Sequence, residues 1–328
     1  MVRLLLRRRP HRDRDACLQV VDRPAASFRP GRRAVLTAAG SLLAAAFVPL
    51  PGRAATATAP RLAAIDWAML ETAIALGHMP LAACELIRYR ADAVAPPIPD
   101  HVTDLGLRGA PNYELLQLTR PDLILSSPYY TRYEDRLRAI APVLSLPFYL
   151  PGEPPLPHAL DALEALAEAI GDPASGQAAR ARTEAELDVL TERLRPFADR
   201  PVCAVNLGDA RHLRAFGHDS MFGNLLTRLG LQNAWSGATR FSFLAPVPIE
   251  ELASLPEARL VIVGNIPPQA AHGLRRSVLW RALPPVAQGR VYRLGRINPF
   301  GGVPAGLRFA HLLADALQGG PTSIEAAG

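Results

Sequence analysis

The sequence predicts an α/β protein of two lobes with a long helix between them. Three observations carry this expectation. Short apolar runs alternate with stretches of helical periodicity, the alternation occurs twice along the chain, and a helical stretch at 175–194 separates the two occurrences.

In the first half, residues 62–65 read as a strand and 67–76 as a helix stopped by Gly77. Further strands are expected at 81–83, 123–125 and 143–146, with a helix over 132–140 between the last two. The most informative stretch is DLGLRGAPNYELLQLTRPDLILSSPYY, residues 104–130. It holds a short loop carrying Arg108, then a helix that Asn112 can cap, with Glu114 in the first turn where the helix dipole favours an acid. Pro121 closes that helix, and Leu123, Ile124 and Leu125 follow as a continuous apolar run, as expected of a central parallel strand covered on both faces. Arg108 and Tyr129 are therefore expected on loops leaving a rigid core, where an open α/β sheet keeps its ligand contacts.

The proline-rich residues 147–157 lead into two helical stretches, 159–170 and 175–194, broken apart by Gly171, Asp172 and Pro173. The second is charged on most faces, with Leu187, Leu190 and Leu194 as a narrow apolar stripe. At 1.5 Å per residue it spans roughly 30 Å, enough to run along two lobes. The second half offers a strand at 202–207, a helix at 221–229, a loop at 235–243, the apolar stretch 249–255, strands at 260–263 and at Val291, and a final helix at 306–317. The expected organisation is a leader over 1–57, an N-terminal lobe over 58–156, linking helices over 157–198, a C-terminal lobe over 199–320 and a loose tail over 321–328.

The basic charge is misleading as a guide to partners. Of 36 basic and 30 acidic side chains, 11 and 3 fall in the first 55 residues, leaving 25 and 27 and a net charge of −2. A nucleic-acid surface loses its support. Arg32 and Arg33 precede an apolar segment from 34 to 50, and Ala54, Ala55 and Ala57 follow it, as in an export signal of the twin-arginine type cleaved near 55–57, with a general secretory signal or an uncleaved anchor as the alternatives. Cys84 and Cys203, one per lobe and without ligand-spaced partners, are expected as buried thiols rather than a disulfide or metal clip. The scattered histidines form no metal cluster, and nucleophile-elbow and phosphate-loop motifs are missing, so the main enzyme templates have no support.

The succession GLR, PN, E-LL, PD, apolar strand and tyrosine, together with PRLAAIDWAMLETAIALG before it and RHLRAFGHDSMF and NAW after it, resembles the iron(III)-siderophore binding proteins of ABC importers. The likeness is nearest to the periplasmic hydroxamate-siderophore binders and runs over residues 60–317. It implies two Rossmann-like lobes joined by a long spanning helix, the type III periplasmic binding architecture, and binding rather than catalysis. It implies that Arg108 and Tyr129 contact the chelating oxygens of a ferric siderophore. A guanidinium suits that role, since its planar fork of donors matches paired oxygens. The bland alternative is a surface arginine paired with Asp104 or Glu114, and a half-buried tyrosine at a lobe edge.

The resemblance also places Trp67 in the cleft, where its apolar face can rest against a siderophore backbone. At positions that are aromatic in well-known hydroxamate binders this sequence has Asp92, Leu125, Ser242, Asn298 and Phe300, with Arg240 and Arg296 close by. The cleft is therefore expected to be less aromatic and more polar, suiting an anionic chelate such as a citrate-based hydroxamate. Glu134 and Glu250 match acidic positions that dock on permease arginines. The implied partners are the ferric siderophore and an inner-membrane permease with its ATPase, for a periplasmic monomer without intrinsic cofactor. The rival readings are a haem or cobalamin binder of the same architecture, a periplasmic chelate-modifying enzyme, and a sensor that presents the loaded lobe to a membrane receptor.

Overall fold

The computed structural model describes residues 59–237 and 247–322. The leader with Arg32 and Arg33, the cleavage region at 55–57, and Arg240 and Ser242 lie outside those residues.

The N-terminal lobe is built on a parallel sheet of β1 (Leu62–Ala64), β2 (Ala82–Ala83), β3 (Thr103–Asp104), β6 (Leu123–Ser126) and β7 (Val143–Ser145), in the order β3-β2-β1-β6-β7. The strand expected at the centre, β6, stands one place off it, beside β1. Between β3 and β6 a two-stranded hairpin, β4 (Gly106–Leu107) and β5 (Ala110–Pro111), turns through Arg108 and Gly109. Helices α1 (Trp67–Ala75), α2 (Leu86–Asp92), α3 (Tyr113–Thr119) and α4 (Glu134–Arg138) complete this lobe, the last preceded by a 3-10 turn over Pro128–Tyr133. Successive strand residues face opposite ways. Ala63 and Ile124 pack with Leu116 and Leu137 on one face, while Leu62, Ala64 and Leu125 pack with α1 on the other.

The helix α5 (Pro155–Ala169) begins earlier than its periodicity suggested, because Pro155 sits where a missing N–H costs nothing. The same correction applies to Pro173, which starts the next helix rather than breaking the chain. The helix α6 (Pro173–Leu194) is 22 residues long, and its N-cap Asp172 accepts from Ser175 N at 3.3 Å. Its buried positions, Gly176, Ala179, Thr183, Leu187, Leu190 and Leu194, recur at helical spacing and include the expected leucine stripe. Gly176 lets α5 and α6 touch, since a Cβ there would stand 3.0 Å from the Glu164 backbone.

Ion pairs and hydrogen bonds show what α6 connects. Its first half meets the N-terminal lobe, through Asp172 with His78 at 3.1 Å and Arg182 donating to Ala75 O at 3.4 Å. Its second half meets the C-terminal lobe, with Asp188 accepting from Arg228 at 2.5 Å and Arg193 reaching Asp315 at 2.6 Å.

The C-terminal lobe holds β8 (Val202–Leu207), β9 (His212–Ala215), β10 (Val247–Pro248), β11 (Arg259–Val263) and β12 (Val291–Leu294), in the order β10-β9-β8-β11-β12. The trio β8, β11 and β12 is parallel, whereas β9 and β10 run antiparallel to their neighbours, so this sheet is mixed. Helices α7 (Met221–Arg228), α8 (Pro268–Arg276), α9 (Val278–Ala282), α10 (Pro284–Ala287) and α11 (Val303–Gly319) surround it.

One apolar core crosses the lobe boundary. Leu62, Ala64 and Leu125 of the first sheet and Ala204, Val261 and Val263 of the second share it with Leu70, Leu163, Leu187, Leu225 and Phe309 of the helices. Opening the lobes widely would separate that packing, at a cost that rises with every apolar surface exposed. The fold therefore restricts the lobes to small relative movements. Cys84 and Cys203 are both free and buried, and burial pushes the Cys203 thiol up to about 12. Among the described residues no helix is long and apolar enough to cross a membrane.

Candidate functional site

Two cavities meet between the lobes, and Arg108 and Phe300 stand in the walls of both. The smaller, 390 Å³, is enclosed mainly by Tyr129, Tyr130, Phe148, Tyr149 and Phe300 with Asp66 and Ser127. The larger, 530 Å³, is mixed, with Arg88, Asp92, Asn206, Arg214, Asn265 and Arg296 set against Trp67, Phe216 and Phe222.

Arg108 owes its position to the hairpin turn and to an acid that the sequence did not single out. Its Nε donates to Glu85 Oε2 at 3.0 Å and its backbone N to Glu85 Oε1 at 3.3 Å. The partner is thus Glu85, not Asp104 or Glu114. Asp104 instead ties the hairpin to the start of α2, its Oδ1 accepting from Gly106 N at 2.9 Å and its Oδ2 from Leu86 N at 3.0 Å. Glu85 itself stands at φ 54°, a left-handed conformation rare for a side chain of this kind. It reaches Arg108 from that strained post.

The guanidinium carbon of Arg108 lies 4.0 Å from the centre of the Trp67 ring. Trp67 Nε1 donates to Cys84 O at 2.9 Å, and Tyr89 meets the ring edge-on at 5.1 Å. Only 5% of Trp67 is exposed. Trp67 lines the larger cavity, as expected, but the guanidinium covers a ring face, which makes it the platform under the arginine. With Nε bound by Glu85, the two Nη groups are the ones left to meet a ligand.

Tyr129 follows β6 on the 3-10 turn and is 86% exposed, edge-on to Tyr130 at 5.4 Å. Tyr130 is buried, and desolvation raises its phenol above the usual range. Beneath both lies Asp66, the N-cap of α1, which accepts from Ala68 N at 2.7 Å and from Ser127 Oγ at 3.1 Å. Burial raises its carboxyl, against the pull of these hydrogen bonds and of Arg108.

Elsewhere the expected residues divide. Phe300 lines the cleft and meets Tyr149 edge-on at 5.4 Å. Asn298 stands in the wall of the larger cavity, largely buried, with its Nδ2 donating to Glu71 Oε1 at 2.9 Å. Leu125 lies in the core and lines neither cavity. Arg296 reaches across the gap, with Nη1 donating to Ala91 O at 2.6 Å in the last turn of α2. Asn265 Oδ1, turned toward the guanidinium, accepts from Arg296 Nη2 and Nε at 2.6 and 2.9 Å. Asp92 accepts from Arg88 Nε at 3.1 Å.

Aromatic side chains stand in both cavities, Trp67, Phe216, Phe222 and Phe300 in the larger and the tyrosines with Phe148 and Phe300 in the smaller, while the charged side chains gather in the larger. Phe148 and Tyr149 come from the proline-rich stretch at 147–157, whose composition reads as a connection rather than a wall. Among the described residues no group of three His, Cys, Asp or Glu lies close enough to hold a metal ion. The chemistry on offer is hydrogen bonding and stacking around a guest.

A family model described as periplasmic binding protein matches residues 62–297. The chain belongs to that family. Among periplasmic binding proteins, the iron(3+)-hydroxamate-binding protein FhuD of Escherichia coli (strain K12) is 30% identical over 259 residues, covering 79% of this chain and 87% of its own. The crystal structure of the Fe3+–Desferal-bound siderophore-binding protein FhuD from Vibrio cholerae superposes with a TM-score of 0.73 at 25% identity, over 79% of this chain and 98% of that one. The periplasmic catecholate-siderophore binding protein VctP from Vibrio cholerae shares the fold, with a TM-score of 0.59 at 16% identity over 79% and 93% of the two chains. The lobe-spanning α6 is the feature of the type III form of this architecture, to which the chain conforms.

Proposed function

We propose that this protein is the substrate-binding component of an ABC importer that captures a ferric siderophore of the hydroxamate or citrate-hydroxamate class. The observation that carries this reading is Arg108, held by Glu85 and stacked on Trp67 where it stands, with Phe300, in the walls of both cavities. A fork of donors fixed in this way suits the paired oxygens on the outside of a wrapped ferric ion. Tyr129 adds a phenol beside it, and Phe300 an aromatic face. The siderophore supplies the iron ligands, so the iron is cargo. The relatives named above are binding proteins, in keeping with capture rather than turnover.

In this reading the chain is exported through its Arg32–Arg33 leader, cleaved near 55–57, and works as a periplasmic monomer. Native mass spectrometry of the protein from iron-starved periplasm is expected to show one chain lacking the leader and carrying one unaltered ferric chelate. A haem, a cobalamin or a hydrolysed chelate in its place would overturn the assignment.

Handover to a permease with its ATPase is assigned to Glu134 and Glu250. Glu250 is exposed in the 3-10 turn Ile249–Ser254 of the C-terminal lobe. Glu134, in the first turn of α4, pairs with Arg138 on the N-terminal lobe. One carboxylate per lobe suits a two-fold partner with matching arginines. Reversing both charges is expected to cut siderophore uptake at least tenfold while leaving chelate affinity within about twofold. Undiminished uptake would place docking elsewhere.

A further inference from the structure

Behind the cleft, a carboxylate joins the two lobes. Glu71 lies on α1 of the N-terminal lobe and is completely buried. From the C-terminal lobe, its Oε1 accepts from Asn298 Nδ2 at 2.9 Å and its Oε2 from Gly302 N at 2.8 Å. Gly302 is the N-cap of α11 and has no capping side chain, and Glu71 also accepts from Ala305 N, in the third position of the helix, so it does from another helix what a capping residue does from its own. The Tyr89 hydroxyl stands 3.4 Å from Oε1 and 3.2 Å from Ala95 O.

The intervening chain is shaped around this carboxylate. A Cβ on Gly301 would overlap Glu71 Oε2, and one on Gly302 would stand 3.0 Å from Ala68 O. Two consecutive glycines thus admit the α1 backbone and the Glu71 carboxylate where side chains would collide with them. Asn298 Oδ1 in turn accepts from Phe300 N at 3.1 Å, and Gly301 O accepts from Tyr149 Oη at 2.6 Å. The segment that presents Phe300 to the cleft is therefore clamped at both its ends by one buried acid.

We infer that Glu71 is a positioning residue: from the N-terminal lobe it holds the C-terminal segment 298–302, and through that segment it sets where the Phe300 ring stands against a bound chelate. The inference rests on the ligand reading above for its last step, whereas the clamp itself stands without it. All the partners of Glu71 are donors, which suits an ionised carboxylate, while burial works the other way and pushes its carboxyl up to about 8. The other titratable groups facing it are the hydroxyls of Tyr89 and Tyr149. Burial raises both.

The test compares the protein with Glu71→Gln and Glu71→Ala, by amide hydrogen exchange without ligand and by affinity for the ferric Desferal complex at pH 6.5 and 9. In Glu71→Ala, exchange over 298–305 should rise tenfold or more while β11 is unchanged, and affinity should fall at least tenfold. Glu71→Gln keeps one acceptor for Gly302 and cannot ionise. Its affinity should match the unaltered protein at pH 6.5 and stay flat to pH 9, where that of the unaltered protein rises. Should Glu71→Ala fail to fold, Glu71→Gln decides by its pH profile. Unchanged exchange over 298–305, or one pH profile for both proteins, would overturn the clamp. Failure of the unaltered protein to bind the probe would instead sink the siderophore reading, and exchange would still report on the clamp.

Discussion

Replacing Arg108 with alanine is expected to weaken binding of a ferric hydroxamate by about 100-fold, and of all single changes in the cleft walls this should be the most damaging to affinity. Losing a fixed cation from a desolvated, hydrogen-bonded contact costs about 2–5 kcal/mol, and each 1.4 kcal/mol is about a factor of ten. Alanine also leaves the Glu85 carboxylate, largely buried, with only the longer pair to Arg88 at 3.9 Å, which by itself disfavours an anionic guest. Two further variants separate these effects. Arg108→Lys keeps the charge but loses the fork and the stacking on Trp67, and about a tenfold loss is expected. The double variant Arg108→Ala with Glu85→Gln removes the stranded charge, and should recover folding stability without recovering affinity. Tyr129→Phe, deleting one hydroxyl, should cost about 0.5–1.5 kcal/mol. Isothermal titration decides the matter: an Arg108→Ala affinity within threefold of the unaltered protein would remove the arginine from the site.

How far the sequence foretold this site follows from the range over which each residue acts. The limits of β8 and the leucine stripe of α6 were legible because each is written in its own local periodicity. Arg108 and Tyr129 were legible as loop residues at strand ends, which is where parallel sheets place their contacts. Glu85 was not, since it holds Arg108 across 23 residues and only the hairpin brings them together. Glu71 meets Asn298 across 227 residues. One trace of it was nevertheless present, a single acid in the otherwise apolar or small-residue run WAMLETAIA, on a helix with seven buried positions. The strands β9 and β10 were missed because HLRA and VP carry no apolar run. Their pairing comes from the neighbouring strand rather than from propensity. Helix α2 was hidden for a related reason, as the side chain that caps it, Asp104, lies in another strand.

The buried acid should also leave its mark on stability. Glu71 ordinarily titrates near 4.5 and is held near 8 when folded. Between those values the folded protein keeps a proton that the unfolded chain has lost, so stability falls as pH rises across that window. The slope approaches about 1.4 kcal/mol per pH unit, because one proton separates the two states. Below about pH 4.5 the term vanishes, and above about pH 8 the full penalty of burying the charge is present. Asp66, also raised by burial, has the same sign. Asp172, Asp199 and Asp209 are lowered by their hydrogen bonds and contribute stability that is lost only toward acid. All four are common to the protein and to Glu71→Gln, so the difference between the two isolates Glu71. From pH 5.5 to 7.5 the protein should lose about 2–3 kcal/mol relative to Glu71→Gln, read from urea midpoints. Parallel curves for the two would mean that the carboxyl does not titrate in its folded position. A carboxyl that costs stability in this range is hard to explain by packing alone, since glutamine has nearly the same shape. That cost is intelligible if the ionised form, accepting from both Asn298 and Gly302, holds the cleft wall in the register that ligand capture needs.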